Sequence, residues 1–321
     1  MNFRWLKRGK IFAPSGEFGW MNSHAQVPTV LNLGDKLRIY FSTRDQPGRS
    51  LIASMDVCSQ NPQKIFCLEE NPVTTLGLPG TFDEHGVMPS GIIFEKSTNK
   101  VILYYSGWSK RNSVPYSNLT GLLISEDIYQ QPFERIGHGP ILTTNLWEPY
   151  SATSPFILED NGKYLAYYCS GTGWVNISGK YEHLYDIKVA HSDDGISWKQ
   201  LSEVCVEQKN EHEALTRPTV IKILGEYHMW FCYRDSVDFR DGAGSYKLGY
   251  ATSPDGINWT RNDSKSGISA SDNGWDSTMM AYPYIIKNDF DQVFMFYNGN
   301  GFGKTGFGYA ELEMNSSKGV D

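Results

Sequence analysis

The chain has 321 residues and a net charge of −7, with 40% hydrophobic and 14% aromatic residues, enough for two ordinary domains or one large repeat fold. The acidic balance argues against a broad nucleic-acid or anionic-membrane surface, either of which calls for a basic face. No apolar run approaches the ~20 residues that span a bilayer, and the opening MNFRWLKRGKIF is charged throughout, without the apolar core of a secretory signal. No nucleic-acid partner, no membrane insertion and a cytoplasmic location are therefore expected.

In chain order, the first strand-like segment is FRWLKRGKIF (3 to 12), which has no neighbour of its own. After it, one pattern occurs five times: a polar lead, a proline, an apolar run, an aromatic-rich strand, then a strand ending in small or polar residues. The prolines are Pro28, Pro89, Pro155, Pro218 and Pro283, at separations of 61, 66, 63 and 65. Second strands read RIYFSTR, ILYYSGW, LAYYCSG, HMWFCYR and VFMFYNG; third strands read LIASMD, GLLISED, KVAHSDD, LGYATSP and FGYAELE. A fixed period of short strands signals a radial array, here a five-bladed all-β propeller forming one domain over 1–321. The repeats run approximately 13–74, 75–142, 143–206, 207–264 and 265–314.

Third and fourth strands are joined in repeats three and four by HSDDGISW and TSPDGINW, where Asp-Gly supplies the positive-φ turn. Asp194 and Asp255 are accordingly turn formers. Fourth strands follow as KIFCLEE, FERIGHGPIL, WKQLSEVCV and WTRND, but repeat five stops after GFGYAELE. The segment 1–12 resembles FERIGHGPIL and is predicted to complete the last blade, closing the ring and removing its exposed edges. Five scattered cysteines, Cys58, Cys67, Cys169, Cys205 and Cys232, suit buried reduced thiols better than a disulfide frame or a zinc site. Neither a metal nor a cofactor is expected.

In a propeller the leads before the innermost strands face the funnel. These leads are NSHAQVP, FDEHGVMP, EPYSATSP, EHEALTRP and DSTMMAYP, and four of the five carry carboxylates. Convergent acids cost mutual repulsion and desolvation. A ring of them suits glycosyl transfer, which uses one protonated and one ionised carboxyl. Asp83, Glu213 and Asp276 are the predicted catalytic acids. Asp83 could instead cap a turn, and Glu213 could pair with Arg217. The predicted substrate contacts are His24, Gln26, Arg44, His85, Trp108, Glu148, Trp174, Arg217, Arg234 and Tyr282. His24 and His85 match across repeats one and two, but a metal would need a third ligand. The Arg44-Asp45 and Arg234-Asp235 pairs occupy matching places and read as inter-blade salt bridges or as ligand clamps. Trp108, Trp147, Trp174 and Trp275, with Tyr116, Tyr150, Tyr181 and Tyr185, fall in loops or leads, where flat faces suit sugar rings.

The five-fold pattern resembles the propeller glycosidases of glycoside hydrolase families 43, 32, 68 and 130. The tail YKLGYATSPDGINWTR…GWDSTMMAYPYII…MFYNGNGFGKTGFGYAEL resembles an unassigned glycosidase-like group associated with bacterial surface-polysaccharide gene clusters. The resemblance implies a glycosidase acting on a carbohydrate, a bacterial glycan or its precursor. Families 43 and 32 place catalytic aspartates just before the proline-like positions of the first two blades, and here Val27 and Met88 stand there. Their later-blade acid has possible counterparts in Glu148 or Glu213. Family 130 implies a basic phosphate pocket, for which Arg44, Arg217, Arg234, Arg240 and His24 are available, although these residues would equally suit an acidic sugar. A phosphorylase or a transferase using an activated sugar is the second reading, and a non-catalytic carbohydrate-binding propeller the third.

Overall fold

A computed structural model of the chain describes residues 3–129, 132–240 and 242–313. The protein is all-β, with twenty strands and only single turns of helix among the described residues. Five antiparallel units follow the sequence period. The first comprises β2 (Ser23–Asn32), β3 (Lys36–Arg44), β4 (Ser50–Cys58) and β5 (Ile65–Leu68). The second is β6 (Gly86–Glu95), β7 (Lys100–Lys110), β8 (Tyr116–Ser125) and β9 (Glu134–Arg135), and the third β10 (Ala152–Asp160), β11 (Lys163–Ile177), β12 (Lys180–Ser192) and β13 (Lys199–Val206). The fourth is β14 (Glu213–Ile223), β15 (Glu226–Asp235), β16 (Lys247–Ser253) and β17 (Thr260–Arg261). The last joins β18 (Ala281–Lys287), β19 (Val293–Asn298) and β20 (Phe307–Leu312) to β1 (Trp5–Phe12).

The first strands are buried along half or more of their length, β2 and β14 along most of it. That matches strands covered on both faces and explains their near-continuous apolar runs. The fourth strands β5, β9 and β17 are short and mostly exposed. First strands touch one another in the order β2, β6, β10, β14, β18 and back to β2. Single parallel bridges, Ser50 to Gly86 and Ala152 to Leu119, join the first three units into one sheet.

The N-terminal strand lies antiparallel to β20, with Trp5 opposite Leu312 and Phe12 opposite Phe307. Aromatic packing fixes it on both sides. Phe12 lies 5.4 Å from Phe41 of the first unit, and Trp5 lies 5.4 Å, edge-on, from Trp230 of the fourth. At the inner side Asn298 of β19 accepts a 2.8 Å bond from the Val27 amide and donates a 2.5 Å bond to the Ala25 carbonyl.

The Asp-Gly turns form as expected. Asp194 Oδ1 accepts from the amides of Ile196 (2.8 Å) and Ser197 (2.7 Å), and Gly195 takes φ 72°. Asp255 repeats this with Ile257 and Asn258, and Gly256 takes φ 78°. Backbone amides that favour the ionised carboxylate hold Asp194 down at about 2. The five cysteines are free. No described helix is long and apolar enough to cross a membrane.

Candidate functional site

The prolines shape the inner strands. A proline lacks the amide needed for a ladder bond and steers the preceding residue away from the right-handed helical region. Each first strand slips register at this point: Gln26/Thr29, Pro89/Gly91, Thr153/Phe156, Thr216/Thr219 and Ala281/Tyr284. In four units the residue before the proline takes a positive φ: Val27 50°, Ser154 53°, Arg217 55° and Tyr282 56°. For non-glycine residues this stores about 1–3 kcal/mol each. Such bulges re-aim side chains, and Val27, Met88, Ser154 and Tyr282 all face one cavity. The fifth residue of this set, Arg217, is fully buried directly behind the lining. Its guanidinium donates to the carbonyls of Pro89 (3.1 Å), Pro28 (3.3 Å) and Val27 (3.4 Å) and to Thr29 Oγ1 (2.6 Å).

The cavity measures about 510 Å³. Its walls carry three guanidiniums (Arg44, Arg234, Arg240), two imidazoles (His24, His183) and a single carboxylate among the described residues, Glu182. Aromatic rings supply most of the remaining surface, with Trp108, Tyr116, Tyr181, Tyr185, Phe239, Tyr246, Tyr282 and Phe302. Gly86 makes room for Trp108, since a Cβ there would stand 2.0 Å from the indole nitrogen. That nitrogen donates to Ser50 Oγ at 3.1 Å.

One wall comes from the long β11–β12 hairpin, whose pairing continues out to Ile177 opposite Lys180. It delivers Tyr181, Glu182, His183 and Tyr185. Trp174 stacks on His183 at 4.2 Å with planes 4° apart. Burial, with help from Arg234, pushes His183 down to about 3, so its imidazole is neutral at physiological pH. Burial and then Arg44 and Lys304 push His24 down to about 4. Glu182 accepts a forked pair of bonds from Arg240, at 2.6 and 3.0 Å. Tyr185 and Tyr246 share a 2.5 Å hydroxyl contact.

Of the ten predicted substrate contacts, His24, Gln26, Arg44, Trp108, Arg234 and Tyr282 line this cavity. The other four do not. His85 leans on Trp108 (5.8 Å), and Trp174 stands behind His183. Arg217 is sealed among carbonyls, and Glu148 is buried inside its own unit. None of the expected catalytic trio, Asp83, Glu213 and Asp276, is among the residues that line the cavity.

Four lead carboxylates, one in each of the second to fifth units, occupy one recurring position, bound by a polar side chain from the fourth strand and, in three units, by a tyrosine from the second. Asp83 accepts from Tyr105 (2.8 Å), Arg135 (2.9 Å) and Thr81 (2.8 Å). Glu148 accepts from Tyr168 (2.8 Å), Ser170 (2.7 Å) and Gln200 (3.2 Å). Asp276 accepts from Tyr297 (2.9 Å) and Lys7 (2.7 Å). Glu213 takes a forked Arg261 (2.7 and 2.9 Å) and the Lys209 amide (2.6 Å), with Phe231 at the tyrosine's place. Glu213 therefore pairs with Arg261 and not with Arg217.

Neither Arg-Asp pair is a salt bridge. Asp45 binds Arg49 at 2.8 Å and Asp235 accepts from the Val237 amide, while Arg44 and Arg234 have no carboxylate within salt-bridge reach among the described residues. Several rings expected in loops lie on strands: Trp108 on β7, Tyr116 on β8, Trp174 on β11, and Tyr181 and Tyr185 on β12. Trp147 is 74% exposed and not part of the cavity lining, and Trp275 stacks on Tyr297 at 5.1 Å. The residues missed were Glu182, His183, Phe239, Tyr246 and Phe302. A signal for two of them existed, because repeat three carries a stretch on either side of Ser178-Gly179 that lengthens its second and third strands.

No family model matches the chain. Two proteins of Mycobacterium tuberculosis, the uncharacterized MT1551 (strain CDC 1551 / Oshkosh) and the uncharacterized Rv1502 (strain ATCC 25618 / H37Rv), are each 37% identical to it over 311 residues. These alignments cover 96% of this chain and 99% of each relative. Among solved structures, a glycosyl hydrolase from Bacteroides ovatus aligns with a TM-score of 0.74 at 13% identity, covering 97% of this chain and 94% of that one. A thermostable family-43 glycoside hydrolase gives 0.65 at 16%, covering 92% and 90%. A structure from the GH130 family of mannoside phosphorylases, which contains glycoside hydrolases targeting β-1,2 mannosidic linkages in Candida mannan, gives 0.71 at 13%, covering 97% and 94%. At these identities the likeness is one of fold.

Proposed function

The chain belongs to the same family as the uncharacterized Mycobacterium tuberculosis proteins MT1551 and Rv1502, and from the fold it shares with glycoside hydrolases we propose that it is a glycosidase-like enzyme acting on a carbohydrate. Its architecture is read as a five-bladed β-propeller over 1–321, closed by β1. Three observations support that reading: the cyclic order of contacts among the first strands, the pairing of β1 with β20, and the place of Lys7 on Asp276. Lys7 does there what Arg135, Gln200 and Arg261 do in the earlier units.

The observation that carries the function is the single cavity to which the pre-proline residues are turned, walled by aromatic faces and guanidiniums. Flat apolar rings with a few convergent polar groups suit a saccharide. Glu182 is the carboxylate proposed to exchange a proton with the glycosidic oxygen or its attacking partner. Asp83, Glu148, Glu213 and Asp276 are proposed to latch each lead to its outer strand.

Hydrolysis by paired acids uses two carboxylates at the site. One carboxylate among three guanidiniums favours a second reading, in which the sugar passes to phosphate or arrives from an activated donor. The test is a glycan panel incubated with and without inorganic phosphate and nucleotide sugars, with sugar release as the readout. Release in water supports hydrolysis, and release only with phosphate or a nucleotide sugar supports transfer. Binding without turnover across the panel would overturn both readings and leave a carbohydrate-binding propeller.

A further inference from the structure

Four guanidiniums stand at or just behind the cavity, and their partners separate them. Arg240 is neutralised by Glu182, and Arg217 is satisfied by three carbonyls and a hydroxyl. Arg44 gives only its Nε, to Gln26 Oε1 at 3.1 Å, which leaves its outer nitrogens free for a ligand. Arg234 is 3% exposed and spends its outer nitrogens on the His183 carbonyl (2.7 Å) and Ser236 Oγ (3.0 Å), while its Nε has no partner.

Leaving the Arg234 charge out of water, and that of Arg44 partly so, without a counter-ion is costly. The loss is only partly offset by the Phe239 ring, 3.9 Å from the Arg234 guanidinium. Two further polar atoms of the lining are buried and unpartnered, Thr153 Oγ1 and Asn118 Oδ1. A hydroxyl donor suits an anionic oxygen, and an amide oxygen suits a sugar hydroxyl. Tyr282 ties the two arginines to one neighbourhood. It lines the cavity with both, and Gln26, which accepts from Arg44, donates to the carbonyl of Phe302, whose ring lies 5.9 Å from the Phe239 ring beneath Arg234.

We propose that Arg44 and Arg234, with Thr153, form an anion subsite that takes a carboxylate or phosphate group. The subsite rests on the carbohydrate reading above and narrows it to an acidic or phosphorylated saccharide, or to a neutral one with inorganic phosphate as co-substrate. Planar guanidiniums match both oxyanions through paired N–H donors.

The test is calorimetric titration of the full chain with glucuronate, glucose 6-phosphate, inorganic phosphate and glucose. At least one anionic probe should bind more tightly than glucose. Both Arg44→Gln and Arg234→Gln should weaken that binding by roughly 30-fold or more, the usual loss when one partner of a buried charge contact is removed. Binding of inorganic phosphate alone assigns the anion to a co-substrate, and binding of only the sugar-borne anions assigns it to the saccharide. If Arg234→Gln fails to fold, Arg44→Gln carries the test, because Arg44 is only half-buried and lies at a strand end. The subsite is overturned if no anion binds better than glucose, or if the folded variants bind the anion as the wild type does. Turnover of neutral glycans without any anion effect would overturn the subsite alone. Anion binding without turnover on any glycan would overturn only the enzymatic reading.

Discussion

Replacing Arg217 with Met should destabilise the protein by about 3–5 kcal/mol, the usual result of breaking a buried, hydrogen-bonded charge network. The side chain fits the space roughly, but three carbonyl oxygens and Thr29 Oγ1 lose their donor in a place water does not reach. Those acceptors belong to β2 and β6, while Arg217 belongs to β14, so one guanidinium ties three of the five units together. Burial lowers the Arg217 pKa to about 10, which leaves it charged at neutral pH. Arg217→Lys should recover little, because an ammonium cannot fork towards Pro89 and Pro28 at once. Urea unfolding should show a lower midpoint with an unchanged slope. A loss under about 0.5 kcal/mol, the range of an ordinary surface substitution, would mean that the network is not holding the units.

The second large effect is on turnover. Glu182→Gln should reduce it by about 10²–10⁴-fold, the usual contribution of a positioned proton-transfer group. The same exchange at the latches should act differently. Asp83→Asn, Glu213→Gln and Asp276→Asn keep the shape of each side chain but weaken its charge-assisted bonds, so each should lower the melting temperature while leaving turnover per folded molecule near wild type. Steady-state kinetics on the folded fraction, beside thermal unfolding of the same samples, separates the two behaviours. A latch variant that stays folded and loses as much turnover as Glu182→Gln would return catalysis to the leads.

The strand arrangement was readable in the chain because period and chemistry coincide there. The five prolines mark the five inner strands, and Asp194-Gly195 and Asp255-Gly256 form the turns expected of them. The N-terminal segment announced itself by the fourth strand missing from repeat five, and it pairs with β20. The site was only half legible. His24, Gln26, Arg44, Trp108, Arg234 and Tyr282 flank the period's landmarks and do line the cavity.

The bonding of the lead acids was not legible for a physical reason: their partners are distant in sequence. Arg135 stands 52 residues from Asp83, Arg261 stands 48 from Glu213, and Lys7 stands 269 from Asp276. A carboxylate whose cation arrives from that far looks free on paper. The left-handed bulge before four of the five prolines has the same character. Val27, Ser154 and Tyr282, which take it, line the cavity, and nothing local in the sequence shows this turn.

The most direct test of the account is a crystal structure of the protein soaked with an acidic or phosphorylated saccharide. The sugar is predicted to lie in the cavity with its anionic group on Arg44 and Arg234 and with Glu182 as its nearest carboxylate. A sugar seated against Asp83, Glu213 or Asp276, with the cavity empty, would contradict it.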